Sequence, residues 1–508
     1  MKAFLMHEGQ DFDLQRELPR NAEALTQDLE LSTLFNAMAA GDAFLLDMVK
    51  RAVLSSLHEP DAIRYRQDIL TDCLQRPAVI RDLYSLAVEA IQGEKKIWIG
   101  SLSRSPDLVL HRGVDVLQML VGMLKRLRHI ADEDGPQFRS EGFTRFFEML
   151  VKELSDEYLL TVEDHLRQLR FRGGVLESAE LGRGNKGTNY ILRKPHKKPS
   201  WLDWISGNRP LSYTYRIPER DENGARALGE LRERGINLVA NALAQSTDHI
   251  LSFFTMLRSE LAFYVGCLNL HERLAGKGEP TCLPEPLPSD RRTLSLRGLY
   301  DVSLSLNMSD TRVVGNDVDA DDKSLLMATG ANQGGKSTFL RSVGLGQLMM
   351  QCGMFVPAES FRANVCAGVF THFKREEDVT MRSGKLDEEL SRMSDIADQL
   401  APNSIVLFNE SFAATNEREG SQIARQIIRA LLETHVQVVF VTHQYDLAHS
   451  LHAKKMDDAL FLRAERQADG RRTFKLLPGE PLPTSFGEDL YRRIFGGDLQ
   501  SVTSNEAG

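Results

Sequence analysis

The chain has 508 residues and a formal net charge of −9, with 42% hydrophobic and 26% charged residues. That length provides for two or three domains with a large buried core, and the composition is ordinary for a soluble protein. The mildly acidic balance excludes a protein that coats nucleic acid over its whole surface, so any DNA contact should be a local patch.

The N-terminus, Met-Lys-Ala-Phe-Leu-Met-His, has too short an apolar stretch for a signal peptide. The longest apolar runs are too short or too interrupted to cross a membrane. Cys73, Cys267, Cys282, Cys352 and Cys366 are scattered and show no paired metal spacing. Together these predict a protein of the reducing cytoplasm, with no membrane partner.

Further along, residues 142–170 place Phe143, Phe146, Phe147, Leu150, Leu154, Leu159, Leu166 and Leu169 at three-four spacing. This predicts one amphipathic helix of about 29 residues, roughly 43 Å long. Residues 225–275 repeat such a pattern, and an antiparallel pair of arms is the simple arrangement. Most of these apolar residues carry architecture and no chemistry.

Between the arms, residues 171–222 break the helical pattern with glycines and prolines. Short β-like pieces are expected at Asn189–Leu192 and Leu211–Ile217. The stretch is basic: Arg183, Lys186, Arg193, Lys194, Lys197, Lys198 and Arg209, with Tyr190, Trp201 and Trp204 interleaved. Basic groups can neutralise phosphates and aromatics can stack on bases. A solvated loop anchored by its tryptophans is the competing explanation. The proline-rich residues 279–288 cannot continue a helix and read as a connection from the arms into the C-terminal domain.

Residues 330–337, Gly-Ala-Asn-Gln-Gly-Gly-Lys-Ser, fit the phosphate-loop pattern, with the apolar run Leu325–Met327 before it and a helical pattern after it. Backbone N–H groups of Gly330, Gly334 and Gly335 would wind around ATP phosphates. Lys336 would reach the β- and γ-phosphates, and the Ser337 hydroxyl would ligate Mg²⁺. A second strand, residues 404–410, carries Glu410 at its carboxyl end, the candidate general base for activating water. The residue before it is Asn409, not an aspartate. Its amide oxygen can still face Mg²⁺ but brings no charge, so slow turnover is expected. A third strand, Val436–Thr442, ends at His443, positioned to contact the γ-phosphate.

These motifs resemble the MutS family of ABC-type ATPases. Thr329–Thr338 is similar to the family's T-G-x-N-x-G-G-K-S-T, which adds Asn332 and Thr338 to the ATP-binding set. Gly353–Ala358, Val369–His372, Thr442–Leu447 and Ser485–Leu490 resemble later family motifs in the same order. Asp28–Leu31 and Asp61–Asp68 resemble the start of its helical core. The resemblance implies an α/β P-loop ABC-type ATPase domain plus a mainly α-helical core and lever domain with a small β-containing, clamp-like tip. The expected limits are a helical core over 1–110, lever arms over 111–278 with the basic tip at about 171–222, a connection over 279–323, the ATPase domain over 324–496 and a flexible tail over 497–508. No counterpart of the N-terminal mismatch-recognition and connector domains is visible, which suggests a short standalone member.

In the family a signature serine reaches the partner's γ-phosphate. Here Gly384 falls at that position, with Ser383 and Lys385 beside it. The resemblance therefore implies a homodimer that binds and slowly hydrolyses ATP with Mg²⁺ and clamps structured or branched duplex DNA. The alternative is an ATP-dependent switch acting on a protein partner without touching DNA.

Overall fold

The computed structural model describes residues 1–98, 106–171, 174–194, 213–309, 311–375, 384–467 and 470–482. Chain contacts divide it into two units. One comprises Met1–Ala3, Ala78–Arg139 and Phe143–Leu261; the other comprises Phe4–Pro77, Ser140–Gly142 and the chain from Ala262 onward.

The second unit opens with four helices: α1 (Ala22–Asp28), α2 (Leu31–Ala39), α3 (Ala43–Leu54) and α4 (Pro60–Gln75). Asp42 caps α3 by accepting from the N–H groups of Phe44 and Leu45, and Pro60 opens α4 where its missing N–H costs nothing.

Among its described residues the first unit is mainly helical, with one hairpin. It holds α5 (Pro77–Trp98), α6 (Pro106–Glu133), α7 (Glu141–Glu153), α8 (Asp156–Gln168) and most of α9 (Glu222–Gly276). The single helix expected over 142–170 is two. Ser155 has extended backbone angles, and its hydroxyl accepts from the Tyr158 N–H at 3.3 Å, while Asp156 and Glu157 complement the new helix's N-terminal dipole. The apolar spacing runs through the break because Leu154 is itself buried. A partner of α8 is α6, a helix that the arm pattern did not single out. Lys125 pairs with Glu163 at 2.6 Å and Asp115 with Arg170 at 2.8 Å.

Helix α9 covers the predicted second arm. It contains an 18-residue window apolar enough to cross a membrane, which corrects the expectation that no run is. Of that window 67% is buried within the protein, as in a core helix.

Strands β1 (Glu177–Leu181) and β2 (Gly187–Leu192) pair antiparallel at the tip. The β-like piece at 189–192 is thus a strand, but its mate lies upstream. Residues 213–217 are irregular, and Leu211 and Ser212 lie outside the described residues.

The remaining elements complete the second unit. Its smaller sheet has the order β3 (Glu285–Leu287), β7 (Ser360–Asn364), β4 (Leu294–Leu299), β5 (Asn316–Asp319). Its larger sheet has the order β12 (Arg472–Pro478), β11 (Ala459–Arg466), β6 (Leu325–Gly330), β10 (Gln437–Val441), β9 (Ile405–Asn409), β8 (Val369–Phe373). All neighbours in the larger sheet are parallel except β11 and β12. Every residue of β6, β8 and β10 is buried, which is why β6 and β10 read as largely apolar runs, while β8 buries Thr371 and His372 among its apolar residues.

Among the described residues five helices lie among these strands: α10 (Val302–Asn307), α11 (Lys336–Gln351), α12 (Lys385–Ala397), α13 (Glu417–Glu433) and α14 (Tyr445–His452). One sheet face presents Leu325, Met327, Val406, Phe408, Val438 and Phe440 to Ala424, Ile428 and Leu431 of α13. Toward the other face, α11 approaches at Gly344, where an added Cβ would come within 2.6 Å of Leu407 and 2.9 Å of Leu29. Arg341 of α11 pairs with buried Asp301 at 2.6 Å and with Glu30. The early helices are thereby built into the sheet unit.

Candidate nucleotide site and nucleic-acid surface

The parallel strands β6, β9 and β10 all end on one side of the sheet, where ligands bind in open α/β folds. There β6 ends at Gly330, the loop 331–335 comes next, and α11 starts at Lys336. Gly335 has φ +87°, and an added Cβ would lie 3.3 Å from the Phe474 carbonyl oxygen, so glycine is needed for both conformation and space. Gln333 also adopts a left-handed conformation, at φ +56°. Asn332 and Ser337 are exposed and Thr338 is half-buried in the first turn of α11.

Lys336 is buried, and its ammonium donates to the carbonyl oxygens of Gly330 at 3.1 Å and Ala331 at 3.0 Å. Burial pulls its pKa below the usual lysine range; the Glu410 carboxylate opposes that shift and Arg472 adds to it. The charge thus lies within the loop, on a side chain long enough to exchange carbonyl partners for phosphate oxygens.

Strands β9 and β6 are not direct neighbours, yet the structure brings Ser337 and Asn409 together. The Ser337 hydroxyl donates to Asn409 Oδ1 at 2.8 Å. A hydroxyl and an amide oxygen so placed fit a hard, oxygen-seeking cation such as Mg²⁺, as a neutral donor set. Ser337 would ligate directly, Asn409 would face the ion's shell, and the ion when bound would neutralise phosphate charge.

Glu410 follows β9 in a left-handed conformation, φ +53°, and its N–H donates to the Val441 carbonyl at 2.9 Å. One carboxylate oxygen accepts from the His443 N–H at 3.0 Å and lies 2.5 Å from His443 Nδ1. That side-chain hydrogen bond raises the His443 pKa above the ordinary histidine value, against burial. Glu410 and His443 therefore form one unit.

Three nearby residues have no signal in the sequence pattern. The Arg472 guanidinium donates to the Asn332 carbonyl at 3.2 Å. Phe474, with φ +62° and 47% exposure, stands beside Gly335. Asn316 fixes it on both sides, donating to the Phe474 carbonyl at 3.3 Å and accepting from the Leu476 N–H at 2.7 Å. The pairing of β11 with β6 puts this hairpin over the loop; nothing local in the sequence could.

Gly384 immediately precedes α12, with open space around it. Ser383 lies outside the described residues, as do Lys197, Lys198, Trp201, Trp204, Arg209, the segment 485–490 and the tail. At the tip, Arg183, Lys186, Arg193 and Lys194 are all exposed on or beside the β1–β2 hairpin. Arg193 donates to Ser178 Oγ at 2.9 Å, and the Arg234 guanidinium lies 5.9 Å from the Tyr190 ring centre. Glu177 and Glu180 lie on β1, while the basic residues lie in the turn and just after β2, so the hairpin carries both signs of charge.

A Gly-rich loop between a buried parallel strand and a helix, facing a strand end followed by a carboxylate, defines an α/β domain of the phosphate-loop class. Comparison with known proteins agrees. MutS domain V matches residues 326–488, and the MutS2 N-terminal domain matches residues 58–277. The chain belongs to the MutS family. It is 24% identical over 513 residues to the DNA mismatch repair protein MutS of Porphyromonas gingivalis, covering 88% of this chain and 55% of that protein. It is 30% identical over 265 residues to the endonuclease MutS2 of Lacticaseibacillus casei, covering 49% of this chain and 32% of that protein. MutS protein homolog 4 of Mus musculus is 29% identical over 178 residues, 35% of this chain and 18% of that protein. The chain thus spans about half the length of the first of these and a third of the second.

Proposed function

We propose that this protein binds ATP with Mg²⁺ at the loop 330–338, hydrolyses it slowly, and uses it as a homodimer to govern the grip of the helical unit's tip on structured or branched duplex DNA. The observation that carries the reading is the convergence of Lys336, Ser337, Asn409, Glu410 and His443 from three strand ends. Lys336 and the loop N–H groups would hold the triphosphate. Phe474 would supply a face for the base. Glu410 would take the proton of the attacking water, with His443 fixing the carboxylate's direction. The segment before α12 would complete the site on a second copy, Gly384 offering a backbone N–H where the family has a serine. DNA as the partner is supported by the exposed basic tip and by relatives whose names state DNA mismatch repair.

Equilibrium titration with a fluorescent ATP analogue, then DNA binding across homoduplex, mismatched, branched and single-stranded substrates, tests this reading. Absence of Mg²⁺-dependent nucleotide binding would remove it. Nucleotide binding without affinity for any DNA would favour the protein-partner alternative.

Two consequences can be measured. Asn409→Asp adds a charge beside Ser337, so hydrolysis should reach half-maximum at a lower Mg²⁺ concentration. An unshifted Mg²⁺ titration would count against this placement of the ion. At the tip, replacing Arg193 and Lys194 together by glutamine should reduce the slope of log affinity against log salt by about 2, roughly one per lost phosphate contact. A slope equal to the parent's would take these two residues out of the DNA surface.

A further inference from the structure

Histidine 372 lies in β8, fully buried, and its two ring nitrogens face different parts of the ATPase unit. Nε2 is 2.9 Å from the carbonyl oxygen of Glu389, within α12. Nδ1 is 2.8 Å from the hydroxyl of Ser411, the residue after Glu410. A carbonyl can only accept, so Nε2 carries the proton and donates; Nδ1 of the neutral ring then accepts from Ser411. The Ser411 oxygen also lies 2.5 Å from the carbonyl oxygen of His372 itself, so its single proton has two acceptors in reach.

The ring has little freedom. It stacks on Phe412, with centres 5.1 Å apart and planes at 18°, and tilts against Phe408 at 5.7 Å. Glu410 and Phe412 both hold left-handed backbone conformations, at φ +53° and +60°. A turn with two such residues persists only where its surroundings hold it, and His372 is one of those surroundings.

We infer that His372 is a positioning residue that ties helix α12 to the turn aiming Glu410, so that seating Gly384 and the start of α12 against a second copy resets the candidate base. The inference rests on the ATPase reading above. Burial supports a neutral ring, since it pushes the His372 pKa down to about 4, assisted by Arg392. A fixed tautomer with one donor and one acceptor is what such a link requires.

Two substitutions divide the link. In His372→Gln the amide reaches the place of Nε2 and keeps a donor for the Glu389 carbonyl, losing the Ser411 side. In His372→Asn the amide keeps an acceptor near Ser411 and loses α12. Each is compared with the parent for melting temperature, ATP affinity, and kcat and KM as protein concentration rises. Both variants should bind ATP within about twofold of the parent while kcat falls roughly tenfold or more, as for a misplaced rather than missing catalytic group. His372→Asn should also lose the rise of turnover per chain with protein concentration. If the histidine variants do not fold, Ser411→Ala carries the test, and the same fall in kcat at unchanged ATP affinity is expected. Parent-like kcat and concentration dependence in the folded variants, or parent-like kcat in Ser411→Ala, would overturn the inference alone. A parent chain that binds no ATP would overturn the underlying reading and this inference with it.

Discussion

Glu410→Gln is expected to leave ATP bound and to lower its hydrolysis by at least about a hundredfold, the usual contribution of a general base. The substitution preserves size and the strained turn, because the backbone bond from Glu410 to Val441 is unaffected. The new amide oxygen can still accept the His443 N–H, so the side chain keeps its direction. What it loses is the ability to take a proton from water. Single-turnover hydrolysis beside an equilibrium binding assay separates the two quantities. Unchanged turnover would remove Glu410 from the chemistry. The same variant, held in the ATP state, is the form in which light scattering should show a two-fold dimer. A mass that stays monomeric under saturating Mg²⁺-ATP would defeat the shared-site arrangement.

Removal of the Lys336 charge should have the other large effect. Lys336→Ala deletes a buried ammonium whose present partners are carbonyls of its own loop. Phosphate oxygens are stronger acceptors, and charge-assisted bonds to them are about twice as strong as neutral ones. ATP affinity should therefore fall by roughly tenfold or more, the scale of one such bond. Lys336→Met retains an apolar stem and separates charge from packing. Calorimetric titration of both, with melting temperatures, makes the comparison. Parent-like affinity and turnover in either folded variant would sink the phosphate-loop assignment.

The legible parts of this protein were local. A glycine loop framed by an apolar strand and a helix announces itself because each residue constrains its neighbours, and the strand ends at Asn409 and His443 are visible for the same reason. The long helix Glu222–Gly276 was visible from its recurring apolar faces. The helix break at Ser155 was hidden because a buried leucine on its N-terminal side continued the apolar spacing. The strand β1 that pairs with β2 carries no signal of its own in the sequence pattern, since the register of a hairpin depends on its turn, here Arg183–Asn185, more than on strand composition. Phe474, Asn316 and His372 reach the site through pairing between strands far apart in sequence, and no spacing rule encodes that.

The sheet unit is assembled from two long stretches and the short piece Ser140–Gly142, and nearly the whole helical unit lies between the long ones in sequence. Leu29 packs on α11, Arg341 reaches Glu30 and Asp301, and buried Arg66 of α4 donates to the Cys352 carbonyl at 2.9 Å. During synthesis the first seventy-odd residues must therefore wait, partly uncovered, until the ribosome has delivered the strands that enclose them. Residues 78–261 can meanwhile gather around contacts of their own, because domains fold as units in order of emergence. A protein built this way completes its sheet unit last, and excising residues 279–482 would yield a fragment with one wall of its core missing.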